Sequence, residues 1–334
     1  MNELSGHPGE SVSSLAFSPV NKDELLVSSW DGTVRVYDAD RDLAKQTIAF
    51  DAPVLDCCYD SYGQNAFAGG LDQGVSAINM DRGLRSVIAP NCHTQAVSCL
   101  SFNNEHSTLF SGSWDGSIVS IDLRVQTQSA STNTVQLEGG SKVFSMATVA
   151  SSLIVATSTK RLLIYDARYL ATPVEDRESP LKGQIRAVEI HPNGASFCVG
   201  STEGRVAIEY LDMKDAALQQ KKYAFKCHRQ GEKGELLFPV NALAYNPVFG
   251  TFASGGSDGQ VLTWDFMNKK KLKTLSPSGP LGTPVAAMAF SCDGSMLAIA
   301  ASHTFESDMT GEDKNNQIYI YRPSEAEVAP KKKK

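Results

Sequence analysis

Ser28-Ser29-Trp30-Asp31-Gly32, Gly112-Ser113-Trp114-Asp115-Gly116 and Gly255-Gly256-Ser257-Asp258-Gly259 repeat one pattern: a pair of small residues, a spacer, then Asp-Gly, each between alternating apolar runs. Asp-Gly in that setting predicts a two-residue hairpin with a type I′ turn, since such a turn needs positive φ at both central positions and Gly supplies it without steric cost. The chain is expected to be a series of hairpins.

Weaker copies fix the period. Leu71-Asp72-Gln73-Gly74, Ser158-Thr159-Lys160, Thr202-Glu203-Gly204 and Ser302-His303 hold the same place, so turns fall near residues 31, 72, 115, 159, 203, 258 and 303. Spacings of 41 to 55 residues match a four-stranded propeller blade rather than a helical solenoid. The expected fold is all-β, a seven-bladed WD-repeat β-propeller forming one domain over 1–324, with blades near 12–40, 52–82, 95–137, 142–169, 183–228, 238–276 and 283–323. Closing such a ring needs an N-terminal strand, for which Asn2-Glu3-Leu4-Ser5 is the candidate, and 325–334 is expected to be a disordered basic tail. Three segments depart from the period: Gln126 to Gly140, a polar outer strand plus loop; Phe305 to Asn316, an insertion in the last blade; and the basic, aromatic run from Lys221 to Arg229.

Composition is consistent with this fold. With 334 residues, 42% of them hydrophobic, the chain can bury a large core. No run of about 18 apolar residues and no charged-then-apolar leader is present, so a soluble, intracellular protein with no membrane partner is expected. The seven cysteines are odd in number, scattered and free of C-x-x-C spacing, and are expected to be buried reduced thiols. A net charge of −6 argues against general phosphate-backbone binding, so no direct nucleic-acid contact is expected. Lys269-Lys270-Lys271-Leu272-Lys273 and Lys331 to Lys334 read as solvated charge, or at the C-terminus as a nuclear-import patch.

Chemistry concentrates at the turns. Trp264 lies inside a return strand, as packing requires, whereas Trp30 and Trp114 stand immediately before Asp-Gly, where a large aromatic is expected to be wet unless a partner covers it. Arg161 and Arg205 follow their turns where other blades carry Thr33, Ser117 and Gln260, and Arg186 opens a strand where others carry Ser13, Ser98 and Asn241. Guanidinium groups replacing small polar residues suit carboxylate or phosphate; the alternative is a structural ion pair with a blade-edge Asp or Glu, such as Glu189 or Glu203. Gly255 to Gly259 matches G-x-S-x-G, but that elbow needs a strand-to-helix turn, and this is a hairpin turn. His93 is expected to brace its turn by hydrogen bonding Asp115. No metal-ligand spacing or phosphate loop occurs, so neither enzyme activity nor a cofactor is expected.

The strings Leu26-Val27-Ser28-Ser29-Trp30-Asp31, Val54-Leu55-Asp56-Cys57, Gly112-Ser113-Trp114-Asp115, Glu203 to Tyr210, Lys222 to Arg229 and Pro239-Val240-Asn241 resemble the budding-uninhibited-by-benzimidazole family of spindle-checkpoint WD-repeat proteins along the whole chain. The resemblance implies a non-enzymatic adaptor, nuclear, kinetochore-bound in mitosis and also cytoplasmic. Its implied partners are GLEBS motifs of checkpoint kinases or pseudokinases, phosphorylated Met-Glu-Leu-Thr repeats of a kinetochore scaffold, and components of a ubiquitin-ligase checkpoint complex. It assigns Trp30, Trp114 and Arg186 to GLEBS binding, with Arg161 adding positive potential, and Arg205 and Lys226 to the phosphothreonine. A messenger-RNA export relative that binds a nucleoporin GLEBS segment is the alternative.

Overall fold

The computed structural model describes residues 1–124, 131–275, 281–304 and 316–331. These form two compact units, one of Pro8–Ser179 and one of Met1–His7 with Pro180–Lys334. The first unit holds four antiparallel four-stranded sheets. Blade one is Val12–Phe17, Glu24–Ser29, Thr33–Asp38 and Leu43–Ala49, and blades two, three and four follow at 54–89, 97–136 and 143–178. The second unit holds three. Blade five is Ile185–Ile190, Ser196–Ser201, Arg205–Tyr210 and Tyr223–Lys226; blade six spans 240–274; blade seven is Val285–Phe290, Leu297–Ala301 and Gln317–Tyr321. The N-terminal Asn2–Glu3 pairs with Tyr319 and Ile320 and supplies that last sheet's fourth strand.

Strand position within a blade dictates burial. The second strand of blade six, Phe252–Gly256, is buried along its whole length and reads as a continuous apolar or small run, because the sheets of blades five and seven lie on its two faces. Fourth strands such as Lys270–Thr274 are largely exposed, and their charges blunt an open edge. Core clusters sit between successive blades of a unit: Leu26, Val36, Cys57 and Ile78 between blades one and two, and Val206, Ile208, Leu243 and Trp264 between five and six. The small residues of the repeat serve this packing. A Cβ on Gly112 would lie 2.5 Å from Val143 Cγ1, and one on Gly255 would lie 2.4 Å from Val285 Cγ1.

The turns differ from the expected type I′. Gly32, Gly116 and Gly259 have positive φ, but the Asp before each does not; Gly32 N bonds Ser29 O, and Trp30 and Asp31 are the two central residues. This is the three-residue hairpin, a turn followed by one left-handed residue. The aspartate is selected for its carboxylate: Asp31 Oδ1 accepts from Thr33 N at 2.9 Å and Oδ2 from Gly9 N at 2.9 Å. Blades two and four lack Gly at this position yet keep the turn, placing Gln73 and Lys160 at positive φ, at a cost of roughly 1 kcal/mol each.

Three further expectations change. The tail from 325 is ordered through Lys331: Glu325–Val328 is a short helix, and Val328 is buried. The extra length is taken up by the helix Ala216–Gln219, between the third and fourth strands of blade five, and by a small hairpin after it pairing Arg229–Gln230 with Leu236–Leu237, while Tyr223–Lys226 is an ordinary fourth strand. Cys57, Cys99, Cys198 and Cys227 are buried free thiols, but Cys58 and Cys92 are half-buried and Cys292 is exposed in a turn. Of the segments that break the period, 126–130 and 305–315 lie outside the described residues.

Candidate functional site

Every blade opens on a β-bulge. The first strand skips one residue against the second at Val12/Ser14, Val54/Asp56, Val97/Cys99, Val143/Ser145, Ile185/Ala187, Val240/Ala242 and Val285/Ala287. A bulged residue is unpaired in the ladder and its side chain is re-aimed. Small bulged residues reach the next blade: Ser13 Oγ donates to Val54 O at 2.7 Å, Ser98 Oγ to Val143 O at 2.8 Å and Asn241 Nδ2 to Val285 O at 3.1 Å. Arg186 is the bulged residue of blade five, half-buried, with a guanidinium nitrogen 3.4 Å from Asn241 Oδ1. The bulge puts a cation where blades one, three and six place a neutral connector.

The same sheet carries Arg205 and Lys226. Its rows run Ile185, Ser201, Arg205, Lys226 across the four strands, so the bulge and the two basic residues share one end of the blade. Arg205 and Lys226 are direct cross-strand partners, an arrangement that brings Cβ atoms to about 5 Å and is destabilising for like charges. In blade four the equivalent pair is Arg161 opposite Glu178, of opposite sign. Arg205 Nε is 3.7 Å from Glu203 Oε1, a partial offset, while exposed Lys226 has no side-chain partner among the described residues. Arg229 closes the end, donating to Glu203 O at 2.9 Å.

Arg161 is placed differently from Arg205. Its Nε donates to Asp176 Oδ1 at 2.7 Å and its guanidinium also reaches Asp176 O, so the ion-pair alternative describes it. Glu189 has no described ion pair with any of these arginines; burial pushes its pKa up to about 8.

In the other unit Trp30 and Trp114 occupy equivalent apices in blades one and three, each half-buried rather than fully wet. Their backbones are clamped: Trp30 N donates to Ser11 O at 2.9 Å and Trp114 N to Ala96 O at 3.1 Å. Below Trp114, Asp115 accepts from Ser117 Oγ at 2.6 Å and Thr94 N at 2.6 Å. Burial opposes its ionisation, but the hydrogen bonds from Ser117 and Thr94 outweigh that and lower its pKa to about 2. His93 braces the turn through an intermediary: its ring bonds Ser117 Oγ at 2.6 Å and Ser111 Oγ at 2.8 Å, with Asp115 3.8 Å away.

Sequence reasoning missed the complete version in blade six. His228 bonds Asp258 Oδ1 and Ser254 Oγ, both at 2.8 Å, and Trp264 Nε1 donates to the same Ser254 Oγ at 2.9 Å. His228 follows Lys226 by two residues, so this buried chain anchors the strand carrying the cation. The signal was present as His228, Ser254, Asp258 and Trp264, and its counterpart in blade three is His93, Ser111 and Asp115 without the Trp.

Repeated four-stranded blades with Asp-braced turns and a His-Ser-Trp chain define a WD-repeat β-propeller. The WD40 family (WD domain, G-beta repeat) matches at residues 1–38, 85–122 and 221–265. The chain is 40% identical to mitotic checkpoint protein BUB3.1 of Arabidopsis thaliana, over 99% of this chain and 95% of the other, and 36% identical to mitotic checkpoint protein bub-3 of Caenorhabditis elegans, over 92% and 89%. It is 30% identical to a poly(A)+ RNA export protein of Schizosaccharomyces pombe, over 99% and 93%. Among solved structures, U3-55K superposes with a TM-score of 0.81 at 16% identity, covering 96% of this chain and 98% of that one, a likeness of fold. The chain belongs to the BUB3 family of WD40 mitotic checkpoint proteins.

Proposed function

We propose that the chain is a mitotic checkpoint adaptor that captures phosphorylated Met-Glu-Leu-Thr segments of a kinetochore scaffold at the Arg205–Lys226 pair and GLEBS segments of checkpoint kinases through Trp30, Trp114 and Arg186. The observation carrying the phosphate assignment is the like-charge pair itself. Two cations facing each other across strands weaken an empty sheet, and a dianion between them converts repulsion into two charge-assisted contacts. Family membership supports the checkpoint setting, with nuclear and kinetochore localisation and ubiquitin-ligase checkpoint components among its partners.

The half-buried indoles on clamped turns offer rigid apolar area at low entropic cost, as binding anchors do. Arg161, occupied by Asp176, adds positive potential and does not grip the ligand. Titration with a GLEBS peptide tests the indoles: Trp30→Ala or Trp114→Ala is expected to weaken binding by at least tenfold in a folded variant, and unchanged affinity would assign both rings to packing. The export protein is the second reading, favoured by its similarity to this chain along almost the whole length. Tight binding of the phosphorylated Met-Glu-Leu-Thr peptide separates the two.

A further inference from the structure

We propose that the C-terminal segment 324–331 is a latch across blades six and seven, opened by phosphorylation of Ser324. The segment is fastened by its backbone and one side chain. Thr251 Oγ1 donates to Val328 O, Thr263 Oγ1 donates to Glu327 O at 2.8 Å, Lys331 N donates to Asp265 Oδ2 at 3.0 Å, and Val328 alone is buried. Thr251, Thr263 and Asp265 belong to blade six, and Tyr321, at the end of blade seven, donates its hydroxyl to Glu327 Oε2 at 3.0 Å. Glu327 therefore joins two blades, blade six through its carbonyl and blade seven through its carboxylate.

Glu327 is also the acceptor for Ser324, whose N and Oγ both lie 3.0 Å from Oε2, while Lys273 Nζ stands 3.9 Å from Oε1. Three donors converge on one oxygen, and Ser324 supplies two of them. Ser324 is exposed, and the residues one and three positions after it are Glu325 and Glu327, a charge pattern that an acidophilic protein kinase reads. In the transfer, Ser324 Oγ attacks the γ-phosphorus of ATP, an O–P bond forms, the β,γ-bridging O–P bond breaks, ADP leaves and the hydroxyl proton is released. The product has lost the hydroxyl, one of the two donors that Ser324 gives Glu327, and sets a group of charge about −2 against that carboxylate. A four-residue helix has little dipole to offset the repulsion, and the rest is held by a single buried valine and by the hydrogen bonds to Thr251, Thr263 and Asp265.

The test is hydrogen exchange on the full chain before and after treatment with an acidophilic Ser/Thr kinase and ATP, with the modified residue located by mass spectrometry. Phosphate on Ser324 is expected, with exchange of the Glu327 and Ala329 amides at least tenfold faster and that of the second and third strands of blade six unchanged. Ser324→Asp should give the same acceleration, and Ser324→Asp/Glu327→Gln should cancel it by removing the facing charge. Absence of phosphate on Ser324, unchanged or slower exchange in the modified chain, or equal acceleration in the single and double variants would each overturn the proposal.

Discussion

At the scale of single residues, charge placed against the fold's preference marks what the fold needs and what it tolerates. Lys226 opposes Arg205 without a side-chain partner among the described residues, so Lys226→Ala is expected to leave the free protein as stable or more stable, by up to about 1 kcal/mol. A thermal melt checks this, and a clear loss of stability would make the lysine structural. Asp56 is the converse case. Burial raises its pKa to about 6, against stabilising hydrogen bonds from Ser14, Leu100 N and Cys57 N, with Leu100 N at 2.6 Å. A carboxyl with a folded pKa above its unfolded value favours the protonated native state, so its contribution is most stabilising below the unfolded value near 4 and is lost as pH rises through about 6. The difference in unfolding free energy between wild type and Asp56→Asn, from denaturant titration, should therefore move in favour of the variant between pH 4 and 7, by about 1–3 kcal/mol; a pH-independent difference would contradict it. Neither the Asp56 bond to the next blade nor the lone position of Lys226 could be read from the sequence, because both depend on register and on which residues sheet stacking seals from water.

At the scale of elements, the repeat was legible and the local geometry was only half so. The Asp-Gly copies gave the turn positions and the period, since a turn interrupts every apolar run. The turn type was misread because Asp31 acts through its carboxylate on Thr33 N and Gly9 N and keeps negative φ, a role that looks identical in sequence to a left-handed Asp. Gly204 shows what the turn transmits to the site. It has φ +62°, and a Cβ there would lie 2.8 Å from His228 O and 2.9 Å from Cys227 O, next to both Arg205 and Lys226. Gly204→Ala is expected to cost about 2 kcal/mol or more and to weaken phosphopeptide binding with it; wild-type denaturant midpoint and affinity would separate this turn from the site. The C-terminal segment stayed hidden because four of its contacts are backbone carbonyls or an amide meeting Thr, Asn and Asp side chains, which leave no apolar periodicity.

At the scale of the molecule, the seven-bladed class followed from the period, and membership of the BUB3 family agrees with the resemblance of the strings at Trp30, Trp114 and Lys222 to Arg229. What the period could not give was rank among the cations. Arg161 and Arg205 align in sequence, yet Arg161 faces an acidic strand, Glu175–Glu178, and Arg205 faces Lys226. Charge dominance at the pair also sets the ionic response: raising salt is expected to weaken phosphopeptide binding severalfold more than GLEBS binding, checked by titration at two salt concentrations. On the proposed function, blade five holds an anion between Arg205 and Lys226. Calorimetric titration of phosphorylated and unphosphorylated Met-Glu-Leu-Thr peptide into wild type and Arg205→Ala/Lys226→Ala tests it most directly. The wild type should prefer the phosphorylated form by tenfold or more and the folded variant should show no preference, whereas a variant that keeps the wild-type ratio would contradict the assignment.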